Sequence, residues 1–187
     1  LMLAADKHVD FVVSMSGMVA SGRETILQQN KDMLHAMTTL SDDVINAYVQ
    51  ALGEGLDGII AGKKPAEIPL PKMLPASMSQ NFQAAIKQAD TPWFRYFLQV
   101  NPSTIIGKIA CPVLAIGGKK DLQVNSTQHL SLLESGLKGK RNKIANLPDL
   151  NHLLQHCQKG TVDEYGEIEE TISPEALQIM IDWLKEL

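Results

Sequence analysis

The sequence predicts an α/β fold of about three parallel strands with flanking helices, interrupted by a large helical insertion. Three observations carry this. Apolar, strand-length runs stand at residues 9–15, 113–116 and 143–147. A helical stretch beginning near Ser126 separates the second run from the third, in the order that parallel neighbours need. Residues 22–100 form a helical, proline-punctuated block much longer than a crossover requires.

Taken in order, Leu1 to Asp6 are good helix formers without a cap and read as the tail of a helix. Residues 9–15, β-branched and apolar, form a strand ending at Ser16-Gly17. From Gly22 the pattern turns helical, with Ile26, Leu27, Asn30, Met33, Leu34 and Met37 near 3.6 spacing. Ser41-Asp42-Asp43 caps a second helix through Val44, Ala47, Tyr48, Ala51 and Leu52. Pro65, Pro69, Pro71 and Pro75 punctuate a loop, and a third helix runs from Ser77 to about Ala89. Trp93, Phe94, Tyr96 and Phe97 concentrate the aromatic residues, and either anchor the insertion on the sheet or wall a substrate pocket. Arg95 among them meets a structural acid or a substrate carboxylate. Met15, Met18, Met33, Met37, Met73 and Met78 lie in or beside the block; they read first as helix core and second as an adaptable apolar surface.

The run Val113-Leu114-Ala115-Ile116 is too short for a helix and is opened by Pro112, which is tolerated at the first position of a strand. Gly117-Gly118 is expected to turn the backbone tightly and to deliver Asp121 to the carboxyl end of the strand, where open α/β sheets place their chemistry. Ser126 or Thr127 is expected to cap a helix to about Leu137. Residues 143–147, before Pro148, form the next strand, and His152 follows in its loop. Residues 159–170 carry Asp163, Glu164, Glu167, Glu169 and Glu170 and read as a solvated loop. Ser173-Pro174-Glu175 starts a last helix, capped by Ser173, with Leu177, Met180, Ile181 and Leu184 on its apolar face.

Strand, acid, helix, strand and histidine in this order resemble the C-terminal half of the α/β-hydrolase fold. The residues that carry the resemblance are Pro112 through Gly117-Gly118 to Asp121, then Asn151-His152-Leu153-Leu154-Gln155, and the helix from Ser173. They are most similar to the bacterial esterase and serine-aminopeptidase-like branch. The resemblance implies the C-terminal part of a hydrolase sheet, with residues 1–21 the end of the nucleophile helix and a core strand, 22–100 an inserted helical lid, and 101–187 the core with acid and histidine. It implies a Ser-His-Asp triad cleaving a carboxylic ester or related acyl bond, with His152 as base and Asp121 fixing its tautomer. A small acyl or ester substrate is the implied partner, and Ser16, Met18, Trp93 and Phe94 are its candidate contacts.

The nucleophile elbow needs Gly-x-Ser-x-Gly, and these 187 residues contain none. Ser16 comes nearest, but Met18 stands where the second small residue belongs, so Ser16 reads as a residue lining the site. The resemblance implies that nucleophile and oxyanion hole lie upstream of Leu1. The chain alone is then expected to be inactive, since loss of the serine costs on the order of 10⁶ in turnover. A peptidase or acyltransferase parent, or a non-catalytic α/β binding protein on the same scaffold, stays open.

Composition bounds the rest. A chain of 187 residues with 44% hydrophobic and 20% charged residues is of globular type and one domain by length. A formal charge of −4 gives no footprint for nucleic acid, and no apolar run is long enough to span a membrane. Cys111 and Cys157 read as free thiols of a cytoplasmic protein. No cofactor is expected. The i, i+4 spacing of His152 and His156, with Asp149, suggests a zinc pair, but no Glu stands between them in the metalloprotease position, and Pro148 and Asn151 favour a loop, so no metal is assigned. An outer strand without a neighbour is expected to promote self-association.

Overall fold

The computed structural model describes residues 1–72, 74–139 and 141–187, so Met73 lies outside the described residues. In chain order the elements are α1 (Met2–Ala5), β1 (Val12–Met15), α2 (Gly22–Met37), α3 (Asp42–Ile60), α4 (Ala76–Ala89), α5 (Pro92–Gln99), β2 (Val113–Gly118), α6 (Ser126–Gly136), β3 (Lys143–Leu147) and α7 (Pro174–Lys185), with short 3₁₀ turns between some of them. The chain forms two compact units, Leu1–Ala20 with Asn101–Leu187, and Ser21–Val100.

The first unit is α/β, with a three-stranded parallel sheet in the order β1-β2-β3. β2 is central and all six of its residues are buried. Its side chains alternate between two layers, as the strand period of two requires. Leu114 and Ile116 pack with Leu147, Leu150, Leu154, Ala176 and Trp183 on the α7 side. Ala115 packs with Val19, Ile106, Leu130 and Leu133 on the α6 side. Fully burying an aliphatic side chain of this size contributes about 1.5–3 kcal/mol, so β2 is the mechanical centre of the unit.

Several expectations are corrected here. β1 starts at Val12, not Val9, because its ladder opens with the Val12 N–H on the Pro112 carbonyl, 3.0 Å. The helix expected at the N-terminus is present, as one turn, Met2–Ala5. Gly117 and Gly118 belong to β2 and do not turn. What demands glycine at 118 is close approach, since a Cβ would overlap the Leu150 carbonyl and stand 2.8 Å from that of Asn151. The cap of α6 is Asn125, whose side chain accepts from the Gln128 N–H, and not Ser126 or Thr127. Ser173 holds the cap position of α7, but its hydroxyl makes no cap bond. α7 buries Ala176 and Trp183, while Leu177, Ile181 and Leu184 are exposed.

The second unit is helical. Ser21 and Glu24 form a capping box that starts α2, each satisfying the other's free backbone N–H. α3 buries Ile45, Tyr48, Leu52, Leu56 and Ile59, a stripe at helical spacing. Ser41 stands at its cap position without a side-chain bond. Thr91 caps α5, with Pro92 in the first turn. Arg95 pairs with Asp90 and donates to the carbonyls of Ile59 and Lys63, so it ties α5 to the end of α3 and holds the Asp90 carboxyl below the usual carboxylate range. No helix among the described residues is long and apolar enough to cross a membrane.

Candidate active site

A parallel sheet puts the carboxyl ends of all its strands on one rim, and the loops leaving β1, β2 and β3 carry Ser16, Asp121 and His152 there. The loop after β2 is stitched to the loop after β3 by main-chain bonds. The Lys119 N–H donates to the Leu147 carbonyl at 2.7 Å, and the Lys120 N–H to that of Leu150 at 3.0 Å. That closeness is what Gly118 permits.

Asp121 has a fully buried side chain, and its two oxygens are used differently. Oδ1 accepts from the backbone N–H groups of Gln123 and Val124, both at 2.8 Å. Oδ2 lies 2.9 Å from Nδ1 of His152. An ionised carboxylate is acceptor only, so Nδ1 carries the proton and Nε2 keeps its lone pair. This is the arrangement of a general base oriented by an acid.

His152 is presented by a self-contained turn. Asn151 Oδ1 accepts from the N–H groups of Leu153 and Gln155, and its Nδ2 donates to Gln155 Oε1. Asn151 is fully buried, and Leu154 closes the turn at φ 58. Thus the Asn-His-x-x-Gln spacing has a mechanical meaning: asparagine and glutamine lock the loop, and the histidine between them stays 26% exposed at its side chain. Residues 151–155 are not helical, and His156 binds Glu170 while His152 binds Asp121, so the i, i+4 zinc geometry is not formed.

Ser16 stands just past β1 with φ 45 and is 9% exposed; its hydroxyl has no hydrogen-bond partner among the described residues. A non-glycine residue held in the left-handed region with an orphan hydroxyl marks a strained rim position. Met18, half-buried, follows in the same loop. That loop is held by His129 of α6, whose Nδ1 accepts from the N–H groups of Val19 at 2.8 Å and Ala20 at 3.1 Å. Nothing in the local pattern of the sequence sets this buried helical histidine apart.

Trp93 and Phe94 belong to the helical unit. Trp93 is 68% exposed and stacks on Phe97 at 5.4 Å. Phe94 contributes to a cleft of about 780 Å³ within that unit, floored by Tyr48, Leu52 and Leu56 and flanked by Met33 and Met37. Met78, at 4% exposed, is core.

The acidic run 159–170 is not merely solvated. It contains a 3₁₀ turn at Val162–Gly166, and two of its acids bind main chain. Glu164 accepts from the N–H groups of Lys159 and Gly160, and Glu170 from the N–H and ring of His156. Burial raises the Glu164 carboxyl, but the backbone N–H groups of Lys159 and Gly160 outweigh it, so it titrates below the ordinary glutamate value of 4.5. The His156 N–H does the same for Glu170. For a depressed carboxylate the stabilisation is present above the ordinary value and is lost as pH falls through the folded one. Hydrogen-exchange protection at Gly160 and His156, relative to the intrinsic rate at each pH, is therefore expected to fall as pH drops below about 4.5, before global unfolding. The Cys157 thiol is pushed up chiefly by burial, which leaves it a protonated thiol. Cys111 is also free.

No family model matches the chain. None of the curated proteins matches it. Among solved structures it is similar to VinJ, with a TM-score of 0.48 and 15% identity, over 100% of this chain and 61% of VinJ. The chain thus spans less than two thirds of the length of that protein.

Proposed function

We propose that this chain supplies the acid and base of a serine hydrolase of the α/β-hydrolase type, acting on a carboxylic ester or related acyl bond, with the unit Ser21–Val100 as its lid. The observation that supports it is the Asp121–His152 hydrogen bond at the carboxyl rim of a parallel sheet, with Nε2 left as the base. In this reading His152 Nε2 takes the proton of a serine hydroxyl as its oxygen attacks the acyl carbon, and returns it to the leaving oxygen as the tetrahedral adduct collapses. Asp121 stabilises the imidazolium in between.

No Gly-x-Ser-x-Gly occurs in the 187 residues, so none of their serines is assigned as the nucleophile. The test is labelling with a fluorophosphonate, which marks activated serines, of the protein as its host expresses it and of the 187-residue chain. Labelling of the host-expressed protein at a Gly-x-Ser-x-Gly serine, lost in His152→Ala, is expected, with none in the 187-residue chain. Labelling of Ser16, or no labelled serine in the host-expressed protein, overturns the assignment.

A further inference from the structure

We propose that residues 157–170 form a strap that sets the geometry of the Asp121–His152 pair, with Tyr165 as its positioning residue. The inference rests on reading that pair as acid and base.

Both ends of the strap are tied to the two loops of the site. At its start, Lys120 Nζ donates to the Cys157 carbonyl at 2.9 Å and pairs with Asp149 at 3.1 Å. Gly160, at φ 79, lies against the Lys120 carbonyl, where a Cβ would overlap it. At its end, Glu170 holds the His156 N–H, and Gln155 Nε2 donates to the Glu170 carbonyl at 2.8 Å. Between these anchors Tyr165 turns inward. Its hydroxyl oxygen accepts from Gln123 Nε2 at 2.9 Å and faces the backbone N–H of His152. Gln123 is the residue whose own N–H holds Asp121 Oδ1. One phenol therefore reaches both the residue that fixes the acid and the residue that is the base. Burial pushes the Tyr165 phenol up, so it is a neutral hydroxyl at ordinary pH.

Without Tyr165 the strap's other anchors remain, so a structural role and a positioning role separate experimentally. The readout is the low-field ¹H NMR signal of His152 Nδ1–H in the 187-residue chain, assigned by its loss in His152→Gln. Tyr165→Phe keeps the ring and removes the acceptor, while Gln123→Ala removes the donor. Each is expected to speed exchange of that proton with solvent by about tenfold. The double variant should be no faster than either single, because both remove one shared bond. Glu167→Gln, at an exposed position of the same strap, should leave the rate unchanged. Should Tyr165→Phe fail to fold, Gln123→Ala decides the matter. Exchange within about twofold of wild type in the folded variants overturns the positioning role and leaves the hydrolase reading standing. Absence of the signal from the wild-type chain overturns the pair, and this inference with it.

Discussion

Asp121→Asn is expected to lower ester turnover of the protein as its host expresses it by about 10⁴ while leaving the fold intact. The cause lies in how the carboxylate is held. Two backbone N–H groups, from Gln123 and Val124, fix one oxygen at 2.8 Å. In the asparagine variant the amide oxygen must occupy that place, because the NH₂ group cannot accept. The NH₂ group then faces His152 Nδ1 and compels it to become the acceptor, which moves the ring proton to Nε2 and removes the base. The ¹⁵N shifts of the His152 ring in the 187-residue chain report that tautomer directly, without any turnover. An Nδ1-protonated ring in Asp121→Asn would show that the two main-chain donors do not dictate the orientation.

Gly118→Ala is expected to be strongly destabilising to the α/β unit. The new Cβ meets main chain, the carbonyls of Leu150 and Asn151, and neither can swing aside as a side-chain tip would. Relief requires moving the turn that carries His152 away from the loop that carries Asp121. A cost of about 3 kcal/mol or more follows for overpacking against backbone. That corresponds to a fall in melting temperature of roughly 6–12 °C for a chain of this length. Gly107→Ala is the control, since the nearest atom to its Cβ is Lys138 Cε at 3.9 Å, and it should change stability by less than about 0.5 kcal/mol. Equal melting temperatures for the two variants would refute the close-approach account.

The same glycine shows what the sequence concealed. Gly-Gly after an apolar run reads as a turn, because local chemistry cannot reveal that another loop will come to rest on the strand's last residue. The central strand was legible as a short apolar run opened by Pro112, and α3 because its buried stripe follows the helical period. So was the candidacy of Asp121 and His152, since each follows a strand of a parallel pair. The start of β1 was not: Val9 and Phe11 are strand formers, yet the ladder begins only at the Pro112 carbonyl. The apolar stripe of α7 misled as well, for Leu177, Ile181 and Leu184 face outward while Ala176 and Trp183 meet the sheet. The capping box of Ser21 and Glu24 does carry a local sequence pattern, Ser-x-x-Glu. Acids in the run 159–170 look like a solvated face because carboxylates that bind backbone N–H groups have no sequence signature of their own.

The bond from the Ser173 N–H to the Leu154 carbonyl, 2.8 Å, joins the head of α7 to the turn that presents His152. At the other end of that helix, Trp183 Nε1 donates to the Arg141 carbonyl at 3.2 Å, just ahead of β3. The terminal helix is therefore a buttress spanning both flanks of the strand that leads to the histidine. Clipping it, or fusing a bulky tag that levers it away, would slacken the imidazole's mount while leaving every residue of the pair intact.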